Sequence, residues 1–143
     1  MRRKLLVLAL GVTFLIVMTW IATIMTSYVP RHPTAQTQTA QAGPYQITLQ
    51  VEPNPPLITQ PATLSLQVLR SDTQQPITNA RVTLESDMET MDMGTDQTST
   101  QVQSSGVYLA HVQFSMSGPW QVRVLVAVPG TQTQSTVFEV VAQ

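Results

Sequence analysis

The stretch WQVRVLVAV, from Trp120 to Val128, places a valine at every second position after the tryptophan. Successive side chains of a β-strand point to opposite faces, so this alternation predicts a strand with one buried face. We expect the Trp120 ring to belong to the same core. A sheet that buries only one face needs several such strands, and the rest of the chain supplies them.

Seven runs of alternating apolar and polar residues follow the N-terminal region, separated by Pro, Gly, Asn and Asp. The predicted strands are Tyr45 to Val51, Ala62 to Arg70, Ala80 to Ser86, Gln97 to Gln103, Val107 to Phe114, Trp120 to Val128, and Thr133 to Val141. This spacing over about 100 residues is typical of an immunoglobulin-like sandwich. The predicted fold is therefore all-β, a seven-stranded antiparallel β-sandwich preceded by one N-terminal transmembrane helix.

The predicted transmembrane helix follows the basic start MRRK and covers the uncharged run from Leu5 to Met25. As a helix this run would be about 32 Å long, which suffices for the hydrocarbon core of a bilayer. Basic residues stay on the cytoplasmic side, so residues after Pro30 are expected outside the cytoplasm. We interpret residues 1–29 as a signal anchor in the cell membrane. A cleaved signal peptide is the alternative, although its apolar region is usually shorter.

Residues 30–43 contain Pro, Thr, Gln and Ala and almost no large apolar side chain. Such a segment buries too little surface to offset its ordering entropy, which predicts a flexible linker. The sandwich domain is then expected over residues 44–143.

Composition excludes several classes of function. The chain has no cysteine, which rules out disulfides and thiolate metal sites. It has no basic cluster beyond its first residues, so no nucleic-acid surface is expected. It also lacks a phosphate loop and a nucleophile with an identifiable base, so we expect it not to be an enzyme.

The segment SDMETMDMGTD, Ser86 to Asp96, carries Met88, Met91 and Met93, and the turn FSMSGPW adds Met116. Thioether sulfur is a soft ligand that suits Cu(I), so these four methionines are candidate copper ligands. His111, the only imidazole of the predicted domain, is a fifth candidate copper ligand. The alternation of its strand, however, places it on the face opposite Tyr108. The competing interpretation is that the methionines fill gaps at the open end of the core.

Acidic residues surround these methionines, and carboxylates would suit Ca²⁺. Their spacing does not match a calcium loop, and such a site would leave the methionines unexplained. We expect the carboxylates to keep the loop solvated and to attract cations.

Three motifs together resemble the YtkA-like domain family: MxxMxMG from Met88 to Gly94, GVY from Gly106 to Tyr108, and MSGPW from Met116 to Trp120. The resemblance covers roughly Tyr45 to Val141. It implies a small extracytoplasmic β-sandwich behind an N-terminal anchor, a layout shared with FixH-type accessory proteins. It also implies an association with copper handling or respiratory oxidase assembly. Glu89, Thr90 and Asp92 depart from the Met- or Pro-richer loop common in that family.

Two functional hypotheses remain open. The first is a membrane-anchored, extracytoplasmic domain that binds Cu(I) and serves an oxidase or a copper transporter. The second is an interaction module without metal, whose Met-acid loop or sheet edge docks a membrane partner.

Overall fold

The computed structural model describes residues 11–21 and 34–143, which belong to two separate units, residues 1–31 and 32–143. Residues 11–21 form an α-helix, α1. No helix within these two described ranges is long and apolar enough to cross a membrane. The other residues of the predicted anchor and the start of the predicted linker, residues 1–10 and 22–33, lie outside the described ranges.

Residues 34–143 contain nine strands, which pair antiparallel throughout. The strands are β1 (Thr37–Ala42), β2 (Tyr45–Glu52), β3 (Ala62–Arg70), β4 (Arg81–Met88), β5 (Asp96–Ser99), β6 (Gln101–Ser104), β7 (Val107–Val112), β8 (Gly118–Ala127) and β9 (Gln134–Ala142). One sheet has the order β1-β2-β3-β7-β6 and the other β5-β4-β8-β9. The predicted antiparallel β-sandwich is confirmed, with nine strands in place of seven.

The core lies between the two sheets and follows the predicted alternation. Val122, Val124 and Val126 of β8 are fully buried, as are Ile47 and Leu49 of β2. Burying each such side chain contributes about 1.5–3 kcal/mol relative to leaving it in water. All residues of the core cluster lie between Ala42 and Ala142, so the sandwich has its own complete core.

The predicted strand from Gln97 to Gln103 is divided between the two sheets at Thr100. The Thr100 hydroxyl donates a hydrogen bond to the Val82 carbonyl oxygen at 2.8 Å, and the chain then crosses from β5 to β6. Seven consecutive residues here include only one large apolar side chain, Val102, which is exposed. Because neither face of the run is apolar, no buried stripe holds it to a single sheet.

Part of the predicted flexible linker, residues 30–43, belongs to the sandwich, because β1 occupies Thr37–Ala42. It pairs with β2 from Thr37 opposite Gln50 to Ala42 opposite Tyr45. Gly43, with φ of 57°, and Pro44 form the two-residue turn between them, and Gly at the first position is what a type II′ turn needs. Backbone pairing and this turn hold β1, whereas the prediction weighed only apolar burial.

Tyr108 of β7 lies in the core and stabilises the connection between β3 and β4 through hydrogen bonds. Its side chain is fully buried, and its hydroxyl donates to the Ile77 carbonyl oxygen at 2.7 Å. The same hydroxyl accepts a hydrogen bond from the Ala80 amide at 3.2 Å. Burial raises the pKa of the Tyr108 phenol, since the interior disfavours the phenolate.

Candidate functional site

The pairing of β4 with β8 brings the two methionine-bearing connections to one end of the sandwich. Met88, the last residue of β4, lies opposite Trp120 of β8, and the Glu89 amide donates to the Pro119 carbonyl oxygen at 3.1 Å. The loop that leaves β4 and the turn that enters β8 are therefore neighbours. The loop before β3 lies at the same end, because Ala62 pairs with Val112, the last residue of β7. We call residues 53–61, 89–95 and 113–117, together with Gln143, the methionine end.

The four candidate methionines differ in burial. Met88 is only 7% exposed and packs in the core cluster, on the same face of β4 as Val82 and Leu84. Met91 and Met93 are 46% and 48% exposed, and Met116 is 37% exposed. Met88 thus matches the core-filling interpretation, and the other three thioethers face solvent on adjoining connections.

The turn that carries Met116 is held by the aromatic core beneath it. The Trp120 indole Nε1 donates to the Met116 carbonyl oxygen at 2.9 Å, and the Trp120 ring is 5.4 Å from that of Phe114 in an edge-to-face arrangement. Trp120 is buried, as predicted. Gly118 has φ of 139°, a region that residues with a side chain rarely adopt. These contacts fix where the backbone presents the Met116 side chain.

His111 lies apart from the methionine loop. It is exposed on β7, while Tyr108, Ala110 and Val112 of that strand point into the core, as the alternation predicts. Its Nδ1 is 3.3 Å from the Thr63 hydroxyl on β3. The imidazole is therefore on the outer face of the five-stranded sheet, whereas residues 89–95 continue from the four-stranded sheet.

Charge is distributed unevenly along the sandwich. Five of the eight carboxylates in the chain lie in or beside the methionine end: Glu52, Asp87, Glu89, Asp92 and Asp96. Of the three Arg or Lys residues within 34–143, Arg70 and Arg81 lie at the opposite end and Arg123 pairs with Glu85 at 3.7 Å. The methionine end is therefore negative, a field that attracts cations.

The loop itself forms a shallow depression of about 260 Å³ lined by residues 87–92. In the same loop the Gly94 amide donates to Asp92 Oδ1 at 3.4 Å, and Gly94 has φ of 83°. In the described parts of the chain no three His, Cys, Asp or Glu side chains come together as a metal-binding group. The chemistry available here is that of exposed thioethers beside separate carboxylates.

The model of the YtkA-like family matches residues 39–125. The chain belongs to the YtkA-like family. The match runs from within β1 into β8 and includes both methionine-bearing connections, so the resemblance inferred from the three motifs is confirmed. A comparison with curated proteins finds no match.

The GVY motif has a structural role in this YtkA-like domain. Gly106 has φ of 76°, and a Cβ added to it would lie 2.8 Å from Pro76 Cβ. The Val68 amide donates to the Gly106 carbonyl oxygen at 3.1 Å, which continues the pairing of β3 with β7. Tyr108, two residues later, then reaches the same connection with its hydroxyl. This motif stabilises the end of the YtkA-like domain away from the methionines.

Sequence reasoning missed one component of the methionine end, the loop of residues 53–61. It exposes Leu57 and Ile58, each 39% accessible. The Ile58 amide donates to the Gln143 carbonyl oxygen at 3.0 Å, and the Gln143 amide donates to the Pro56 carbonyl oxygen at 2.9 Å. The sequence did contain a signal, because Leu57 and Ile58 are two large apolar residues in a proline-rich turn. They lie outside any alternating run, so strand periodicity could not predict whether they are buried or exposed.

A larger open depression of about 550 Å³ lies where the chain crosses between the sheets of the YtkA-like domain. Its lining consists mainly of Thr, Ser and Gln side chains near Val82 and Val102, with Arg81 as the charged residue. A hollow with this lining lacks a group for acid–base or metal chemistry. The methionine end is therefore the stronger candidate.

Proposed function

We propose that this YtkA-like domain binds Cu(I) through Met91, Met93 and Met116. The observation that carries the proposal is the exposure of these three thioethers on two connections that the β4–β8 pairing makes neighbours. Thioether sulfur needs no deprotonation and favours Cu(I) over hard cations. The domain would act as a carrier or holder of the ion and not as an enzyme.

The surrounding charges support this proposal. The five carboxylates in or beside the methionine end would raise the local concentration of a cation, and Arg70 and Arg81 lie at the other end of the sandwich. Met88 is left out because its sulfur would have to leave the core to reach an ion. His111 is left out because it occupies the outer face of the other sheet.

We further propose that the apolar run from Leu5 to Met25 anchors the protein in the cell membrane, with the sandwich outside the cytoplasm. The basic start MRRK and the length of the run support this arrangement. A copper transporter or an oxidase under assembly would then be the natural partner for copper transfer.

The test is a Cu(I) titration of the full-length protein in detergent against a competing chelator under reducing conditions. The double variant Met91→Leu with Met93→Leu keeps the side-chain volume and should lose at least about tenfold in affinity, since Leu offers no ligand atom. Met88→Leu and His111→Asn are expected to leave the affinity unchanged. Met18→Leu controls for a thioether in α1.

Equal competition by the wild type and a variant with all three methionines replaced by Leu would refute copper binding at this site. Loss of affinity in Met88→Leu alone would show that the core sulfur, not the exposed ones, carries the ion.

A further inference from the structure

Exposed apolar side chains are concentrated at the methionine end. Seven large hydrophobic residues within 34–143 are exposed, and five of them lie there: Leu57, Ile58, Met91, Met93 and Met116. The remaining two, Val102 and Val137, lie separately on the edge strands β6 and β9. A cluster of exposed apolar side chains with a polar rim is typical of an interaction surface.

Backbone and side-chain hydrogen bonds join the three connections into one surface. The Gln113 amide group donates to the Ile58 carbonyl oxygen at 2.7 Å, which links the loop of residues 53–61 to the turn that carries Met116. The Glu89 amide donates to the Pro119 carbonyl oxygen, which links that turn to the loop with Met91. The apolar residues are thus presented by a fixed set of neighbouring backbones.

The chain also enters the sandwich at this end. The Val51 amide donates to the Gln36 carbonyl oxygen at 3.0 Å, and the Asn54 side chain donates to the Thr34 carbonyl oxygen at 2.8 Å. With the run to Met25 as the proposed anchor, residues 26–33 join it to Thr34. The methionine end is therefore the end of the sandwich that follows the proposed anchor most directly along the chain.

We propose that the methionine end is a docking surface for an integral membrane protein whose exposed face is apolar and basic. Leu57 and Ile58 would pack against the apolar part of that face, and Glu89 and Asp92 would pair with its Lys or Arg residues. A second copy of the chain fits poorly, because two such ends would bring their carboxylates together. An anionic lipid surface fits poorly for the same reason.

This surface requires no metal, so it stands whether or not copper binds. Leu57 and Ile58 carry no ligand atom in their side chains, and they lie in a different loop from Met91 and Met93. The test is therefore made in the presence of a copper chelator.

The experiment uses the full-length protein in phosphatidylcholine nanodiscs and two synthetic amphipathic peptides, one of leucine and lysine and one of leucine and glutamate. The chain has no cysteine, so Thr95→Cys and Gln132→Cys place a single donor fluorophore at the methionine end or the opposite end. Energy transfer to an acceptor on the peptide reports binding. We expect the lysine peptide to bind near residue 95 at least about tenfold more tightly than the glutamate peptide, and less tightly as salt rises.

Substitutions separate docking from mere proximity to the nanodisc. Leu57→Ser with Ile58→Ser, and Glu89→Gln with Asp92→Asn, should each weaken binding at least about fivefold, because both kinds of contact are needed. The matched controls, Val102→Ser with Val137→Ser and Asp72→Asn with Glu139→Gln, should leave it unchanged. Energy transfer that is unchanged by all of these substitutions would mean that the peptide binds the lipid. Self-association of the wild type that is lost in Leu57→Ser with Ile58→Ser would mean that the surface binds a second copy of the chain. Either result would overturn the proposal.

Discussion

Tyr108 concentrates two functions in one side chain, because its ring fills the core while its hydroxyl satisfies the backbone at Ile77 and Ala80. Tyr108→Phe keeps the ring and leaves a buried amide and carbonyl without a partner. We expect it to lower the free energy of unfolding by about 1–3 kcal/mol, measured by urea denaturation near neutral pH.

The free energy of unfolding of Tyr108→Phe should also depend on pH differently from that of the wild type. The folded-state pKa of Tyr108 is raised above its ordinary value of 10.0 by burial, so the unfolded chain releases this proton first. The contribution of the neutral phenol is present below about pH 10 and is lost as pH rises through the folded-state pKa. The wild type should therefore lose stability above about pH 10 more steeply than Tyr108→Phe. Parallel pH profiles for the two proteins would contradict this account.

At the scale of elements, β1 is the strand whose removal is most informative. A fragment of residues 43–143 lacks it, whereas a fragment of residues 32–143 retains it together with the turn at Gly43. Loss of β1 leaves the β2 ladder unpaired, and each such hydrogen bond contributes about 0.5–1.5 kcal/mol net. We expect the shorter fragment to be less stable by at least about 2 kcal/mol in urea denaturation and more prone to aggregate. Equal unfolding midpoints would show that β1 is dispensable.

The contrast between β3 and β1 shows which elements sequence could predict. β3 occupies Ala62–Arg70, the predicted range, because Leu64, Leu66 and Val68 mark one buried face and prolines precede it. β1 carries only small or polar side chains and β6 only one large apolar residue, the exposed Val102. Each is held by backbone pairing with the next strand, β2 or β7, so alternation of apolar residues does not identify them. Thr100 belongs to the same case, since the sheet crossing depends on Val82, far back in the chain.

The candidate site likewise combines features that the sequence predicts with features that only the structure shows. Alternation along β7 correctly placed His111 away from the core. The sequence could not decide whether the two methionine connections share an end, because this follows from the pairing of β4 with β8. The burial of Met88 could also be predicted from the sequence. Met88 continues the alternation that places Val82 and Leu84 on the buried face, two residues beyond the predicted strand end at Ser86. The exposure of Leu57 and Ile58 could not be predicted, since it depends on the fit of their loop against Gln143.

At the scale of the whole molecule, the sandwich is polarised: apolar and acidic at the end where the chain enters, and carrying Arg70 and Arg81 at the other. The proposed copper ligands and the proposed docking surface therefore occupy the same end of the sandwich.

Retention in the membrane is the corresponding prediction. The full-length protein should remain in the membrane fraction after carbonate washing, because an uncharged run of this length partitions into the bilayer. Fractionation followed by immunodetection of the sandwich measures this. Recovery of a soluble form that begins near Ser27 or Tyr28 would instead indicate a cleaved signal peptide.

The hydrogen bonds of Gln143 with Pro56 and Ile58 also decide how the protein should be prepared. A purification tag fused after Gln143 would emerge beside the exposed methionines, and a polyhistidine tag would bring a string of imidazoles to the proposed copper ligands. Such a preparation would report the metal affinity of the tag, and its bulk would cover the apolar surface. Titration and peptide binding are best measured on protein whose tag is elsewhere or has been removed.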